Sequence, residues 1–302
     1  MDLSQLRYFV AAAETSSMSR AAEREHVSQP ALSRQVARLE QQLGVQLFER
    51  RKQRIHLTAA GRFLLPKARQ LLCDAATAEQ QLRERFAGAR RTLRLGFVGP
   101  FLDDLVVPTV RELERRASGI DVALFDLPPR AQLDRLGTRE LDAAILGNLE
   151  PEDRQRFSVR RLSRHRFAAV LPADHALANS RAVELGALRS ERWVSLDDAL
   201  FPGRREFLRA AAATRGFEPE IATEVESVSM MLGAVAAGDG VALAPWHSAK
   251  LPHAGAAFVK LRPPVPTIEL ALVTRPREPS PELDLLAELL QARARSLGDP
   301  DR

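Results

Sequence analysis

This sequence of 302 residues contains one cysteine, Cys73. A single cysteine forms neither a disulfide framework nor a cysteine-rich metal site within one chain. A half-buried helical thiol is the ordinary state of such a residue, since a redox sensor needs a partner thiol or an electropositive setting. We therefore expect no cross-link, no metal ion and no cofactor.

Long hydrophobic runs are also absent. No apolar stretch approaches the roughly 18–20 residues of a membrane span, and no charged stretch followed by an apolar region marks a secretion signal. Hydrophobic residues nevertheless make up 45% of the chain, which is enough for ordinary globular cores. We therefore expect a cytoplasmic protein of two or three domains with no membrane partner.

Motifs for catalysis are missing as well. None of the six histidines has a second metal ligand three or four residues away on a helix. The sequence contains neither G-x-x-x-x-G-K-[ST] nor G-x-G-x-x-G, the two common phosphate-binding patterns. We therefore expect that the protein is not an enzyme.

The most informative run lies between residues 20 and 34. It reads as a short helix, a tight turn and a second helix whose polar residues are concentrated in its first turn. This is the arrangement of a helix-turn-helix, because only the leading end of a recognition helix reaches base edges in the major groove. The pattern predicts a protein that binds a specific DNA duplex.

Apolar spacing predicts three helices in this region. Residues 3–14 form the first, and Ser17 or Ser19 caps the second. The third begins after Ser28, a good N-cap residue, and ends at Gly44 with the left-handed conformation that glycine adopts readily.

The first turn of the third helix carries the residues predicted to contact the groove. Glutamine pairs bidentately with adenine, and arginine pairs with guanine or with phosphate. The predicted residues are Ser28, Gln29, Pro30, Ser33 and Arg34. Each is an ordinary surface residue when taken singly, and their grouping in one turn indicates DNA.

A basic cluster follows the third helix. Residues 1–60 contain nine Lys/Arg against six Asp/Glu, and four of the nine lie together between residues 50 and 54. Flanking apolar residues predict a two-stranded wing, whose cations reach the DNA backbone or a minor groove. The four are Arg50, Arg51, Lys52 and Arg54. The net charge of +5 also suits contact with nucleic acid.

Across residues 3–61 the sequence resembles the winged helix-turn-helix domain of the LysR-type transcriptional regulators. The matching segments include Leu3-Ser-Gln-Leu-Arg-Tyr-Phe-Val10, Val27-Ser-Gln-Pro-Ala-Leu-Ser-Arg34 and Leu57-Thr-Ala-Ala-Gly61. Agreement over such a length is more specific than any single short motif. The resemblance implies a DNA-binding regulator.

Two positions depart from the family pattern. Glu25 stands where the family usually has an apolar residue, often leucine, and Met18 stands where phenylalanine is usual. We expect the carboxylate of Glu25 to reach solvent or to pair with Arg20 or Arg24.

Thr58 is placed to cap a long helix. Apolar residues follow at intervals of three or four from Leu57 to Phe86, so the helix carries an unbroken apolar stripe about 43 Å long at 1.5 Å per residue. We expect the stripe to pair with the same helix of a second subunit, with packing inside its own chain as the alternative. Pro66 is expected to bend the helix.

From residue 91 onwards, short apolar strands alternate with helical segments. This texture is typical of βαβ units around a parallel sheet. Two such series, beginning near residues 93 and 167, predict two α/β lobes with a ligand cleft between them, at strand ends and helix N-termini.

This region resembles the effector domain of LysR-type regulators, which has two lobes like those of periplasmic binding proteins. The resemblance is clearest at Leu171-Pro-Ala-Asp-His175 and Val235-Ala-Ala-Gly-Asp-Gly-Val-Ala-Leu-Ala-Pro245. It implies that the last strand and helix return to the first lobe. The expected divisions are a DNA-binding domain at 1–58, a linker helix and hinge at 59–90, and an effector domain at 91–302, with lobe I at about 91–162 and 268–302 and lobe II at about 163–267.

The loops after the strands carry the candidate effector contacts. Several family members hold an effector carboxylate with a serine or threonine hydroxyl after the first strand and another after the second, but prolines occupy both places here. An anionic effector would then depend on Arg204, Ser195 or free helix N–H groups. Unless they belong to the core, the aromatic candidates favour an aromatic or bulkier effector. The candidates are Pro100, Phe101, Pro128, Asn148, Ser195, Phe201, Arg204, Ser227 and Trp246.

The overall expectation is an α/β regulator whose binding to double-stranded promoter DNA is modulated by a small-molecule effector. The family resemblance implies a homodimer through the linker helix, a homotetramer and contact with RNA polymerase. The alternative is a regulator without a ligand, whose C-terminal domain serves only oligomerisation. A solute-binding protein is disfavoured by the N-terminal DNA-binding module.

Overall fold

The computed structural model describes residues 1–51, 54–86, 90–117, 119–251, 253–276 and 280–296. The side chains of residues 50, 51, 54, 80, 81, 83–85 and 296 also lie outside the description. The described residues form two compact units, one within 1–89 and 137–140 and the other within 90–136 and 141–302. No described helix is long and apolar enough to cross a membrane.

The first unit begins with three helices, as predicted. They are α1 (Leu3–Thr15), α2 (Met18–Arg24) and α3 (Gln29–Leu43). Of the two candidate caps for α2, Ser17 is the one used, since its side chain accepts a hydrogen bond from the Arg20 N–H at 3.4 Å. Ser28 occupies the N-cap position of α3, and Gly44 ends the helix at φ +69°.

The rest of the first unit is a wing and a long helix. Strands β1 (Phe48–Arg51) and β2 (Arg54–Leu57) pair antiparallel, and helix α4 (Ala59–Phe86) follows. Thr58 caps α4 as predicted, because its hydroxyl accepts a hydrogen bond from the Gly61 N–H at 3.0 Å. Pro66 lies inside this single helix, and the bend expected there stays a prediction.

The apolar stripe of α4 is buried to different extents along the length of the helix. Ala68 is fully buried in a core shared with α1 and α3, and Leu64 and Leu72 pack against that core. Leu82 and Phe86 are 60% and 74% exposed. The expectation that the stripe finds its partner in a second subunit is therefore wrong at Leu64 and Ala68, which the chain's own helices cover, whereas Leu71 is 43% exposed.

The short ion pair of Glu25 forms with a residue other than the predicted Arg20 and Arg24, although Arg24 and Glu25 also attract each other. The Glu25 carboxylate lies 2.9 Å from Nε of Arg7, while Arg20 and Arg24 are engaged elsewhere. The reason is tertiary, because packing of α1 against α2 places Arg7 beside a residue that is far from it in sequence.

The described residues of the second unit form ten strands and six α-helices. The strands are β3 (Arg91–Phe97), β4 (Ile120–Asp126), β5 (Ala143–Gly147), β6 (Ser158–Pro172), β7 (Ala182–Val183), β8 (Arg192–Leu196), β9 (Glu220–Val225), β10 (Ala242–Pro245), β11 (Ala256–Leu261) and β12 (Thr267–Thr274). The helices are α5 (Val107–Arg116), α6 (Pro129–Gly137), α7 (Pro151–Arg156), α8 (Arg204–Ala213), α9 (Val228–Ala236) and α10 (Pro281–Ser296).

One long strand organises this unit. The first part of β6, residues 158–166, pairs with β12, and the second part, residues 167–172, pairs with β10 and β11. The described sheet has the order β4-β3-β5-β12-β6-β11-β7, and β10 also pairs with β6. Strand β6 thus runs through two halves of the unit. We call the half that contains β12 lobe I and the half that contains β10 and β11 lobe II.

The sheet is mixed, so the predicted parallel sheet is only partly right. Strand β3 is parallel to β4 and β5, whereas β12 is antiparallel to β5 and β6. Strands β8 and β9 are parallel and meet the rest of lobe II through a bridge between Trp193 and Val241. Strand β12 and helix α10 return to lobe I, where Leu286 and Leu290 share a core with Leu93.

Candidate nucleic-acid interface and ligand cleft

The first turn of α3 presents a polar surface. Ser28, Gln29, Pro30 and Arg34 are exposed and Ser33 is half-buried. The Gln29 side-chain amide donates a hydrogen bond to the Ser33 hydroxyl at 2.8 Å. The Ser28 side chain makes no capping hydrogen bond. The five predicted residues therefore lie within the first two turns of α3, and the Ser28 hydroxyl is not committed to capping the helix.

The opposite face of α3 holds that turn in place. Leu32, Val36 and Leu39 are buried in the cores of the first unit. Arg38, one turn beyond Arg34, is exposed on the polar side. Sequence analysis missed Arg38, although its spacing of four residues from Arg34 on a helix was the available signal.

The wing is tied to the recognition helix through Glu40. Its Oε1 accepts hydrogen bonds from the backbone N–H groups of Leu47 at 2.7 Å and Phe48 at 3.1 Å. At the tip, the backbones of Arg51 and Arg54 pair across the strands. The side chains of Arg50, Arg51 and Arg54, and Lys52 entirely, lie outside the described residues, so their DNA contacts stay predictions.

An ionic bridge joins three helices of the first unit. The carboxylate of Glu14 in α1 lies 2.6 Å from Arg24 in α2 and 2.8 Å from Arg69 in α4. Burial by itself would raise the pKa of Glu14, but the hydrogen bonds and positive charges of the two arginines outweigh it and lower the pKa. The bridge stays ionised at neutral pH and fixes α4 to the helix-turn-helix.

The second unit contains a cleft whose walls are mostly apolar. Residues after β3 and β5 form one side, and the loop before α8 forms part of the other. Five of the predicted effector residues line it: Pro100, Phe101, Asn148, Phe201 and Arg204. Pro128 and Ser227 line an adjoining cavity.

Two predicted residues line neither cavity. Ser195 is buried and donates a hydrogen bond to the Leu196 carbonyl at 3.3 Å. The ring of Trp246 packs edge-on against Phe258, with centroids 6.4 Å apart, and Lys260 Nζ lies 5.7 Å from the Trp246 ring. We therefore leave Ser195 and Trp246 out of the proposed ligand contacts.

Arg204 is the most unusual side chain of the cleft. It is 6% exposed, and one guanidinium nitrogen donates a hydrogen bond to the Leu243 carbonyl. The guanidinium lies over the rings of Phe167 and Phe207, 5.0 Å and 5.2 Å from their centroids. Its buried Nε has no hydrogen-bond partner. Burial lowers the pKa of Arg204 to about 10.

Asp153 is a lining residue that sequence analysis missed. It is 8% exposed and lies in α7, a helix of six residues. The segment is too short and too charged for an apolar period to reveal it. Its place in the wall of the cleft is a product of the fold.

Behind the cleft wall, Phe101 contacts two histidines. The ring centroid of Phe101 lies 5.2 Å from that of His165 and 5.7 Å from that of His247. The centroids of the two histidine rings lie 4.8 Å apart. His247 Nε2 is 3.5 Å from the Asp104 carboxylate, which Lys250 also contacts. Burial lowers the pKa of His247, Asp104 opposes this shift and Lys250 adds to it.

Two family models together match most of the chain. The "bacterial regulatory helix-turn-helix protein, lysR family" model matches residues 3–62, and the "LysR substrate binding domain" model matches residues 86–295. The chain belongs to the LysR family of transcriptional regulators. It is a DNA-binding regulator with an effector-binding domain, as the sequence predicted.

Curated relatives agree over nearly their whole length. The regulator is 33% identical over 291 residues to the HTH-type transcriptional regulator XapR of Escherichia coli, covering 96% of this chain and 98% of that protein. It is 30% identical to the HTH-type transcriptional regulator BenM of Acinetobacter baylyi, covering 96% and 95%. Both relatives carry the names of transcriptional regulators.

Solved structures show the same fold. The regulator superimposes on full-length BenM with a TM-score of 0.59 at 28% identity, covering 100% of this chain and 99% of that one. It superimposes on CbnR, a LysR family regulator, with a TM-score of 0.76 at 23% identity, covering 97% and 99%. The likeness to CbnR concerns the fold alone.

Proposed function

We propose that this LysR-type regulator binds promoter DNA through the first turn of α3 and the wing, and that a small molecule in the cleft of the second unit modulates this binding. The observation that carries the proposal is the two-sided character of α3. Its core face is buried and its exposed leading turn carries the hydrogen-bonded pair Gln29 and Ser33.

The DNA contacts divide by chemistry. Ser28, Gln29, Ser33 and Arg34 read base edges in the major groove, and Pro30 sets the start of the helix. The cations Arg50, Arg51, Lys52 and Arg54 hold phosphates, and Arg38 extends this positive surface.

The effector occupies the cleft that Pro100, Phe101, Asn148, Phe201 and Arg204 line. Pro128 and Ser227 belong to the adjoining cavity, which shares lining residues with the first. Closure or opening of the two lobes around a ligand would change the population of DNA-binding conformations.

The proposal includes a homodimer through α4, because Leu82 and Phe86 leave an exposed apolar surface in its second half. Two recognition helices would then read half-sites about one duplex turn apart. We further propose that the regulator forms a homotetramer, contacts RNA polymerase, is located in the cytoplasm and has no catalytic activity. The proposed divisions are residues 1–58, 59–90 and 91–302, with lobe I at about 91–162 and 268–302 and lobe II at about 163–267.

DNA selection with the purified full-length regulator tests the proposal, at stated salt and with the mass of the complex measured. The expected product is a partly palindromic site with half-sites about one turn apart, bound by a dimer or a multiple of it. Recovery of only salt-sensitive binding without sequence preference would contradict the roles of Gln29 and Arg34. The selected duplex then serves as the probe for effector screening.

A further inference from the structure

The cleft of the second unit contains two buried side chains of opposite charge. Arg204 begins α8 in lobe II, and Asp153 lies in α7, between β5 and β6 of lobe I. Both line the cleft, and each is more than nine-tenths buried. In the described part of the chain, neither forms an ion pair with the other or with a third residue.

Among the described residues, Arg204 has no counter-ion. Its contacts are one backbone carbonyl and the faces of two phenylalanine rings, which compensate only part of the cost of burying a cation. Its Nε is buried without a hydrogen bond. A guanidinium presents a fork of donors that matches a carboxylate in geometry, so an anionic group in the cleft would satisfy it.

Asp153 presents the opposite requirement. The first turn of α7 offers it the partial positive charge of a helix N-terminus, but no cation or hydrogen-bond donor among the described residues contacts its carboxylate. A ligand that carries only a negative charge would leave the Asp153 carboxylate without a counter-ion and would be repelled by it. A protonated amine would pair with it.

The remaining wall favours an apolar ligand body. Apart from Arg204, Asp153 and Asn148, the lining side chains are aliphatic, aromatic or proline, including Leu133, Met231 and Ile268. Mostly apolar walls with a few polar groups are typical of sites that bind small organic molecules.

We propose that the effector is a small amphoteric molecule with an apolar body, whose anionic group binds Arg204 and whose protonated amine binds Asp153. This inference rests on the proposed function, since it specifies the ligand of the same cleft. It places the anion on lobe II and the amine on lobe I, so that one ligand connects the two lobes.

Matched ligands test the two charges separately. Isothermal titration calorimetry of the full-length regulator would compare phenylalanine, leucine and tryptophan, each with its deaminated acid and its decarboxylated amine. The nine probes form three triplets. The acid and the amine are 3-phenylpropanoate and 2-phenylethylamine for phenylalanine, 4-methylpentanoate and 3-methylbutylamine for leucine, and indole-3-propanoate and tryptamine for tryptophan. The expected result is at least one amino acid that binds roughly tenfold or more tightly than both of its partners, the effect of one charge-assisted hydrogen bond.

Variants assign each charge to its residue. Arg204→Met should weaken binding of the amino acid and of the deaminated acid, whereas Asp153→Asn should weaken binding of the amino acid and of the decarboxylated amine but not of the deaminated acid. The controls are Arg209→Met and Glu152→Gln, which alter exposed residues of the same two helices and should leave binding unchanged. Circular dichroism and binding to the selected duplex confirm that each variant is folded.

The outcomes separate this inference from the proposed function. The inference is overturned if in no triplet the amino acid binds more tightly than both its acid and its amine. It is also overturned if the Asp153→Asn variant keeps the preference for the amino acid over the acid. Sequence-specific DNA binding by the same preparation would then show that the proposed DNA-binding function still holds. Absence of sequence-specific DNA binding by the wild-type protein would instead overturn the proposed function.

Discussion

The carboxylate of Glu40, in the recognition helix, accepts a hydrogen bond of 2.7 Å from the backbone N–H of Leu47, at the start of the wing. The same oxygen accepts a second hydrogen bond from Phe48. One side chain therefore sets the position of the wing relative to α3. The spacing of the two elements proposed to contact DNA depends on these hydrogen bonds.

Replacing Glu40 by alanine leaves two partly buried N–H groups without their acceptor. We expect Glu40→Ala to lower the free energy of unfolding by about 1–3 kcal/mol and to weaken DNA binding. Glu40→Gln is the matched control, because a single amide oxygen can accept both bonds. Urea unfolding and binding to the selected duplex measure the two effects. Equal losses in both variants would show that the negative charge, not the acceptor position, is what matters.

Gly61 lies where a side chain has no room. A Cβ atom there would stand 2.2 Å from the Leu47 carbonyl oxygen, a backbone atom that cannot rotate away. We expect Gly61→Ala to cost about 1–3 kcal/mol of stability through overpacking. Gly233→Ala, in the exposed face of α9 with no atom within 4 Å, should instead stabilise by up to about 1 kcal/mol. Thermal unfolding of the two variants decides whether space or helix propensity dominates.

Arg34 and Lys52 are predicted to act on different parts of the duplex. Arg34→Ala should weaken binding to the selected site by about 1–3 kcal/mol and relax its sequence preference. Lys52→Ala should lower affinity for all sequences and flatten the salt dependence. Titrations at several salt concentrations, on specific and random duplexes, separate the two. An equal loss on both duplexes for Arg34→Ala would refute its base-reading role.

The second half of α4 is predicted to hold the dimer together. Leu82→Asp places a charge in the exposed apolar surface and should shift the dimer towards monomers. Ala76→Asp, also exposed on α4 but on another face of the helix, is the control. Analytical ultracentrifugation of the full-length regulator measures the shift. A Leu82→Asp protein that sediments like the wild type would place the dimer contact elsewhere.

His247 makes stability depend on pH. Burial lowers its pKa below the ordinary value of 6.5, so between the two values the unfolded chain binds a proton that the folded chain excludes. Its contribution to stability is therefore present near neutral pH and is lost as the pH falls below about 6.5. Asp104 limits the loss, and Lys250 and His165 are the other titratable groups beside the imidazole.

Urea unfolding between pH 5 and 7.5 measures this effect. We expect His247→Gln to reduce the slope of stability against pH in that range, because glutamine does not titrate. An unchanged slope would mean that other groups carry the acid sensitivity of the second unit.

Local patterns identified much of the fold. Helices α1 to α3, the caps at Ser17, Thr58 and Gly44, and strand β12 depend on residues close together in the chain. The first half of β6 was not recognised as a strand, since residues 158–166 are rich in arginine and lack an apolar run. Its strand conformation comes from pairing with β12.

The candidate site shows the same division. The sequence by itself determined the family, the helix-turn-helix and the two-lobed effector domain, because these follow from periodicity, caps and motifs within short segments. Only the tertiary structure decided that Arg7 pairs with Glu25, that Leu64 and Ala68 of α4 are covered by their own chain, and that Asp153 lines the cleft with Arg204. Such contacts join residues that are far apart in sequence, and burial and ion pairing are properties of their packing.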